Sequence, residues 1–214
     1  MKYKITILIA TFFIASQIYA QNFPMSIGAY ISYSAGVNAN STPKGIKNDV
    51  GFNNLPDFGA SFYYPLVNDT KLGAQLDLAY VTHSYVQRNS NCNLCENQNF
   101  HLNYFQLNPS IYISGFLVGI NFDIPLGGKK EDADIATSKL NTLIGVNLAY
   151  EILLYNNEVG RIALFFEGNY SFTGSIKDFQ KNDPMGSYAA DSFSPRPASL
   201  GLGFKYMFNI GRVH

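Results

Sequence analysis

Apolar side chains recur at every second position over long stretches of this chain. Every even position from Ala198 to Ile210 is apolar, while the odd positions between them include Ser199, Gly201 and Lys205. Successive side chains of a β-strand point to opposite faces, so a period of two predicts a strand with one apolar face. A chain dominated by this pattern is predicted to fold as β-sheet.

The pattern predicts eight strands joined by connections that alternate in length. The expected strands are Ile27 to Val37, Phe58 to Leu66, Leu72 to Thr82, Leu102 to Ile113, Phe116 to Ile124, Leu140 to Leu154, Ile162 to Phe172 and Ala198 to Ile210. Short connections are expected at 67–71, 114–115 and 155–159, and longer ones at 38–57, 83–101, 125–138 and 174–197. Membrane barrels have short turns on the periplasmic side and longer loops outside, so this alternation favours a membrane barrel.

Composition agrees with strands that face lipid on one side. Charged residues make up 14% of the chain, against about 25% in ordinary soluble domains. The chain holds 15 Tyr and 17 Phe, yet its mean hydropathy is close to zero. Lipid-facing and interior residues that alternate produce this combination. The net charge is zero, so nothing indicates nucleic acid as a partner.

The first twenty residues resemble a secretory signal peptide. Lys2 and Lys4 precede an apolar run from Ile5 to Ile14, and a cleavage site is expected after Ala20. Residues 21–214 contain no apolar stretch near the roughly 18 residues that a membrane helix requires. We therefore predict an all-β, eight-stranded antiparallel up-and-down transmembrane barrel in the bacterial outer membrane. A soluble lipocalin-like barrel, with its apolar faces around a ligand, is the competing fold.

With these strands, loops and closing segment, the sequence resembles the outer-membrane β-barrel domain family common in Bacteroidetes, of which PorT-like proteins are a branch. The segment from Ser199 to Phe208 looks like the C-terminal signal read by the outer-membrane assembly machinery, with Ser199, Gly201, Phe204, Tyr206 and Phe208 as its elements. Residues 209–214 extend beyond the terminal aromatic at which family members often end. The resemblance implies contact with the assembly machinery, and a PorT-like role in protein secretion or gliding is one alternative function.

The interior of an eight-stranded barrel is just wide enough to be filled by side chains. By parity, the inward polar residues are Gln75, Asp77, Asn121, Asp123, Asn147, Glu151, Glu167, Asn169 and Lys205. Counted from the periplasmic ends of their strands, Asp77, Glu167 and Lys205 lie at similar depth, which predicts an ion cluster. Glu151 and Arg161 have matching parity on either side of a hairpin at Asn156 and Asn157, which predicts that they pair across it. We interpret this polar cluster as structural, with a proton or ion path as the alternative.

Cys92 and Cys95 lie in the second long connection. In an exported protein, two Cys this close are predicted to form a local disulfide. A thioredoxin-like redox role requires the start of a helix in an α/β fold, a context that is not predicted here. A zinc site with His83 and His101 is a further alternative, but its spacing matches no familiar pattern. We predict no metal and no cofactor.

Some outer-membrane barrels are lipases or proteases, and the Thr82 to Tyr85 segment is the only catalytic candidate in this sequence. His83 and Ser84 are adjacent in a strand and should point to opposite faces, which does not suit a nucleophile and its base. Tyrosines near strand ends are expected to anchor the barrel at the membrane interfaces: Tyr64, Tyr80, Tyr104, Tyr150, Tyr170 and Tyr206.

The sequence thus predicts a monomeric barrel without catalytic activity, surrounded by outer-membrane lipid. Its long loops are expected to contact an extracellular or envelope protein partner. A lipid-modifying enzyme is an alternative that would require a Ser, a His and an acidic residue to converge at the outer rim. A narrow channel is another, and it would require a continuous water-filled lumen.

Overall fold

The computed structural model of the protein describes residues 23–40, 42, 45–67, 72–89, 97–177 and 194–211. The strands are β1 (Met25–Asn38), β2 (Ile46–Phe52), β3 (Asp57–Pro65), β4 (Leu72–Asn89), β5 (Gln98–Ile113), β6 (Phe116–Lys130), β7 (Ala133–Ile135), β8 (Leu143–Asn156), β9 (Gly160–Ser171) and β10 (Pro197–Gly211), with one 3₁₀ turn, η1 (Thr137–Lys139). No helix within these ranges has the length and apolar character to cross a membrane, a finding that does not bear on strands.

The sheet closes on itself. β1 pairs antiparallel with β10 along its whole length, from Ile27 opposite Phe208 to Val37 opposite Ala198. β2 and β3 occupy one position in the wall, because both lie between β1 and β4. With β4, β5, β6, β8, β9 and β10 in succession, the ring has eight wall positions. Closure leaves no free edge within the ring.

The two faces of the ring have opposite character. Outward residues are large and apolar, and Ile31, Leu148 and Leu200 expose 50%, 58% and 74% of their surface. Inward residues such as Asp123 and Lys205 are buried. This arrangement is the reverse of a soluble barrel and meets the requirement of a bilayer. The protein is an eight-stranded transmembrane β-barrel. The competing lipocalin-like fold is wrong, because the apolar faces point outward.

The short connections form tight turns. Ser114 and Gly115 join β5 to β6 with positive φ angles of 51° and 96°, the conformation of a two-residue hairpin turn whose twist matches that of its strands. Between β8 and β9, the Asn157 side-chain oxygen accepts hydrogen bonds from the backbone N–H groups of Val159 and Gly160 at 3.0 and 2.9 Å. Both turns lie at the same end of the barrel as Met25, where β1 begins, and Gly211, where β10 ends. This is the end predicted to be periplasmic.

Several longer connections contain more strand than the sequence indicates. The expected loop at 83–101 is largely a hairpin, because the β4–β5 ladder continues to Gln87 opposite Gln98. The expected loop at 38–57 contains β2, and the one at 125–138 contains the end of β6 and all of β7. The boundary at 83–101 was wrong because the even positions of β4 change from apolar residues to Thr82 and Ser84, so the alternation ends while the backbone ladder continues.

Pro109 lies within β5, and the wall accommodates it. The β5–β6 ladder skips residues 108 and 109, between Leu107 opposite Phe122 and Ser110 opposite Gly119. A Cβ atom on Gly119 would lie 2.2 Å from Oδ1 of Asn108. The side chain of Asn108 therefore occupies the space that the missing Cβ leaves.

The predicted signal peptide, the proposed disulfide between Cys92 and Cys95, and most of the connection at 67–71 lie outside the described residues.

Candidate functional site in the barrel interior

The interior consists of three layers of side chains. An ionic layer lies at mid-height, and each end is filled by a cluster of apolar and aromatic residues. The cluster at the end predicted to be extracellular, here called the extracellular cluster, comprises Tyr30, Ala79, Val81, Tyr85, Phe100, Leu102, Tyr104, Leu140, Leu143, Phe165 and Ile176. The periplasmic cluster comprises Phe23, Tyr63, Tyr112, Leu117 and Met207. The sequence predicted the ionic layer but not the two apolar ones.

Lys205 is the centre of the ionic layer. Its Nζ lies 2.7 Å from Oε1 of Glu151 on β8 and 3.8 Å from Oδ2 of Asp77 on β4. The rings of Tyr30 and Phe165 flank the ammonium group, with centroids 5.4 and 5.3 Å away. The structure therefore brings Asp77 and Lys205 together.

The carboxylate of Asp77 has further donors. Ser61 on the neighbouring strand β3 donates a hydrogen bond to it, and Gln75 Nε2 lies 3.1 and 3.0 Å from its two oxygens. A buried carboxylate is tolerated when it is paired and hydrogen-bonded, and Asp77 is both.

Glu167 lies beside this network. Ser32 Oγ on β1 donates to its Oε1 at 3.0 Å. Gly201 on β10 is opposite Glu167 in the ladder, and a Cβ there would lie 2.8 Å from the same oxygen. Gly201 thus leaves room for this carboxylate inside the barrel.

Arg161 does not pair with Glu151 as predicted. Its Nη1 donates to Oγ of Ser26 at 3.0 Å, and its guanidinium carbon lies 4.3 Å from the ring centroid of Phe23 and 4.7 Å from that of Tyr63. The cause is the position of the turn, which lies at Glu158 and Val159, so that Arg161 lies opposite Asn156 and Glu151 lies opposite Phe165. Arg161 consequently faces the periplasmic cluster, while Glu151 reaches the ionic layer.

Asp123 and His83 form a second buried pair, 2.9 Å apart between Oδ2 and Nε2. Gln106 Nε2 donates to the other oxygen of Asp123 at 3.0 Å, and the ring of Tyr104 packs edge-on against His83. Tyr104 is therefore an interior residue, and its prediction as an interfacial anchor is wrong.

The sequence analysis missed the interior position of Asp57. Its oxygens accept hydrogen bonds from Ser34 Oγ at 2.7 Å and from the backbone N–H of Thr82 at 2.8 Å. Asn53 Nδ2 donates to both oxygens at 3.1 and 3.2 Å. Asp57 begins β3 with inward parity, but its position at the end of an expected loop concealed this role. His83 was missed for the same reason, although it continues the odd, inward parity of Asp77.

The two end clusters fill the lumen. Tyr85 and Phe100 stack with ring centroids 4.7 Å apart in the extracellular cluster, and Tyr63 and Tyr112 pack edge-on at 5.5 Å in the periplasmic cluster. Between them lies a small cavity with space for roughly one water molecule, lined by polar groups that include Ser32, Asp57, His83 and Glu167. The channel alternative would require a water path past both clusters, whose described side chains are buried.

Two of the three groups that the enzyme alternative requires, a Ser and a His, lie together. Ser84 Oγ lies 2.8 Å from Nδ1 of His101 on β5, whereas the adjacent His83 points inward to Asp123. However, Ser84 is only 2% exposed, and the nearby Glu131 binds Asn99 instead. Among the described contacts, no carboxylate is hydrogen-bonded to His101. The pair lacks the accessible nucleophile and the oriented base of a catalytic triad.

The assembly-signal residues divide between the two faces of β10. Phe204, Tyr206 and Phe208 point outward and expose 56%, 47% and 46% of their surface. Ser199 and Gly201 have the opposite parity and lie on the inner face, where Ser199 lines the small cavity. The aromatic row of this strand therefore faces lipid.

Comparisons with known proteins add a likeness of fold only. No protein-family model and no curated protein matches the chain. The chain is similar to the crystal structure of Ail, the attachment invasion locus protein of Yersinia pestis, solved with the heparin analogue sucrose octasulfate, at 11% identity and a TM-score of 0.38, over 87% of this chain and 100% of that one. It is also similar to the outer membrane protein OprG of Pseudomonas aeruginosa (13%, TM-score 0.36, 88% and 99% covered).

A third similar structure is the outer membrane protein AlkL in lipid bilayers, at 10% identity and a TM-score of 0.39, covering 91% of this chain and 95% of that one. Likenesses this distant identify neither a family nor an activity.

Proposed function

We propose that the protein resides in the bacterial outer membrane as a closed, monomeric barrel without catalytic activity, and that it acts through its extracellular end. The filled interior supports this proposal most directly. Because side chains occupy both ends of the lumen and a bonded ionic layer lies between them, the interior is suited to holding the wall together. The surfaces left for function are the lipid-facing belt and the two ends.

The extracellular end offers the larger polar surface. β4 and β5 continue as a paired hairpin above the belt, and β6 and β7 form a second hairpin. The tip of the second hairpin exposes side chains of both charges: Lys129, Glu131, Asp132 and Asp134. These exposed side chains at a connection beyond the belt are accessible to a partner outside the cell, and connections of this kind often carry function.

We further propose that the outer-membrane assembly machinery recognises β10, because its outward aromatic row continues to the end of the closing strand. The placement in the Bacteroidetes-type family, and the PorT-like role in secretion or gliding, rest on the sequence resemblance. Co-purification of secretion components with the cross-linked native protein would support the PorT-like role, and their absence from the cross-linked material would count against it.

Epitope insertion tests the orientation and the accessible surface together. One variant carries a short epitope between Glu131 and Asp132, at the tip of the β6–β7 hairpin. The matched control carries the same epitope after Glu158, in the turn between β8 and β9. We expect antibody to label intact cells of the first variant only, and both variants after the outer membrane is permeabilised. Labelling of the Glu158 variant on intact cells would contradict the proposal.

A further inference from the structure

Near the outer edge of the belt, the β6–β8 ladder ends before β6 does, which leaves a seam in the wall. β5 and β6 remain paired up to Phe100 opposite Lys130, but the β6–β8 ladder ends at Asp123 opposite Leu143. Above that pair, β6 has no partner on β8. Residues 124–127 of β6 therefore form one side of a seam in the wall.

Residues 133–141, here called the strap, cover the seam. On the β6 side, β7 contributes three ladder pairs at Gly128, Lys129 and Lys130. Below these, Thr137 Oγ1 donates to the carbonyl oxygen of Leu126 at 2.9 Å. On the opposite side, the strap is tied to the extension of β9, with a bridge between Leu140 and Ile176 and two backbone hydrogen bonds of 2.8 and 2.9 Å.

The surroundings of the seam are apolar on both sides. Ile124 and Leu126 face outward and expose 51% and 52% of their surface. Inside, the strap inserts Leu140 and Ile135 into the extracellular cluster. An apolar cluster in the mouth of a membrane barrel departs from the polar interior usual for such barrels. In this protein the apolar cluster lies on the inner side of residues 124–127, where β6 has no partner on β8.

A segment held by few backbone hydrogen bonds opens at lower free energy than a paired strand. At residues 124–127 of β6, the hydrogen bond from the Thr137 side chain to the carbonyl oxygen of Leu126 takes the place of the backbone bonds of a ladder. Movement of the strap away from β6 would withdraw Leu140 and connect the hydrocarbon of the outer leaflet with the cluster. Because the seam is only a few residues long, a bulky lipid headgroup could not follow.

We propose that this seam is an entry site for a small, uncharged apolar molecule dissolved in the outer leaflet, which takes the place of Leu140 against Phe100, Leu102 and Leu143. This inference does not depend on the proposed surface role, since a barrel whose lumen is blocked at the periplasmic end can still hold a ligand at its outer end.

The chain contains no Trp, so one introduced Trp gives a clean fluorescent reporter. Phe100→Trp places it in the extracellular cluster. Tyr112→Trp is the matched control in the periplasmic cluster, and Phe204→Trp is a lipid-facing control. Each variant is folded, reconstituted into phosphatidylcholine vesicles and titrated with 1-bromododecane, whose bromine quenches Trp on contact. A parallel series uses vesicles of brominated phosphatidylcholine.

We expect bromododecane to quench F100W in a saturable manner, to quench F204W without saturation, and to leave Y112W unchanged. Thr137→Val in the F100W background removes the bond to Leu126 and should shift half-saturation to a several-fold lower concentration. If F100W does not fold, Tyr85→Trp reports from the ring stacked on Phe100. Quenching of the cluster reporter no greater than that of Y112W, with and without T137V, would overturn the proposal. Quenching of F100W by brominated phospholipid would overturn the choice of occupant in favour of a lipid acyl chain.

Discussion

Nζ of Lys205 on the closing strand lies 2.7 Å from Oε1 of Glu151, and β9 separates the two strands that carry them. The bond therefore joins wall positions that are not neighbours. Asp77 on β4, across the lumen, lies 3.8 Å from the same ammonium group. Lys205 thus connects three strands around the ring, and its removal should affect closure more than one bond would suggest.

Lys205→Met should destabilise the barrel by about 3 to 5 kcal/mol, because it leaves buried carboxylates without their cation. The double variant Lys205→Met/Glu151→Gln should recover part of that loss, since it removes one of the uncompensated charges. Urea unfolding in lipid vesicles, followed by electrophoretic mobility without boiling, measures both. Equal stability of wild type and K205M would show that the network contributes nothing to the wall.

Gly119→Ala should cost about 1 to 3 kcal/mol, because the new Cβ meets the Asn108 side chain and the backbone oxygen of Pro109 at 2.2 and 2.9 Å. Gly168→Ala is the matched control, as its nearest neighbour is a Leu200 methyl carbon at 3.4 Å. The same unfolding assay should show little change for G168A. A cost for G168A as large as that for G119A would contradict the fit of Asn108 against Gly119.

Leu148→Arg should destabilise the barrel by about 2 to 4 kcal/mol if Leu148 lies near the bilayer midplane. Thr142→Arg, exposed at the outer edge of the belt, should cost only about 0 to 1 kcal/mol. Unfolding from vesicles compares the two. A tolerated arginine at 148 would mean that this face does not contact lipid.

Phe23→Ala should open the periplasmic end of the interior and cost about 3 kcal/mol, the lower end of the range for buried Phe to Ala. Phe23 precedes β1, and its ring packs against Tyr63, Tyr112 and Arg161. Hydrogen exchange should accelerate at Arg161 and Met207 but not at Phe100. Unchanged protection at Arg161 would indicate that Phe23 does not seal this end.

A serine-reactive fluorophosphonate should not label the folded protein. Ser84 is buried, and the histidine beside it lacks an orienting carboxylate among the described contacts. Ser84→Ala provides the background signal for this gel assay. Labelling of the wild type above that of S84A would revive the lipid-modifying enzyme as a function.

Periodicity predicted the ring well because the membrane imposes it. Wherever lipid contacts the wall, one face must be apolar, so strands such as β6 and β10 are evident in the sequence. Above the belt this requirement ends. The even positions of β4 there are the polar residues Thr82 and Ser84, so the continuation of β4 could not be recognised from alternation.

Register and strand breaks explain the errors in the interior. The turn between β8 and β9 lies at Glu158 and Val159 and not at Asn156 and Asn157, so Arg161 lies opposite Asn156 and five residues from Glu151. The interruption between β2 and β3 is similar. Phe58 lies opposite Tyr80 and Val50 lies opposite Tyr85, so the seven residues 51–57 on one side match the four residues 81–84 on the other. That bulge turns Asn53 toward Asp57.

The most direct test of the account is the electrophoretic mobility of the vesicle-folded mature protein with and without boiling, combined with fractionation of the native envelope. A closed barrel in the outer membrane predicts a band that shifts on boiling and recovery of the native protein in the outer-membrane fraction. A protein recovered in the soluble fraction, with no shift on boiling, would contradict the assignment of its apolar face to lipid.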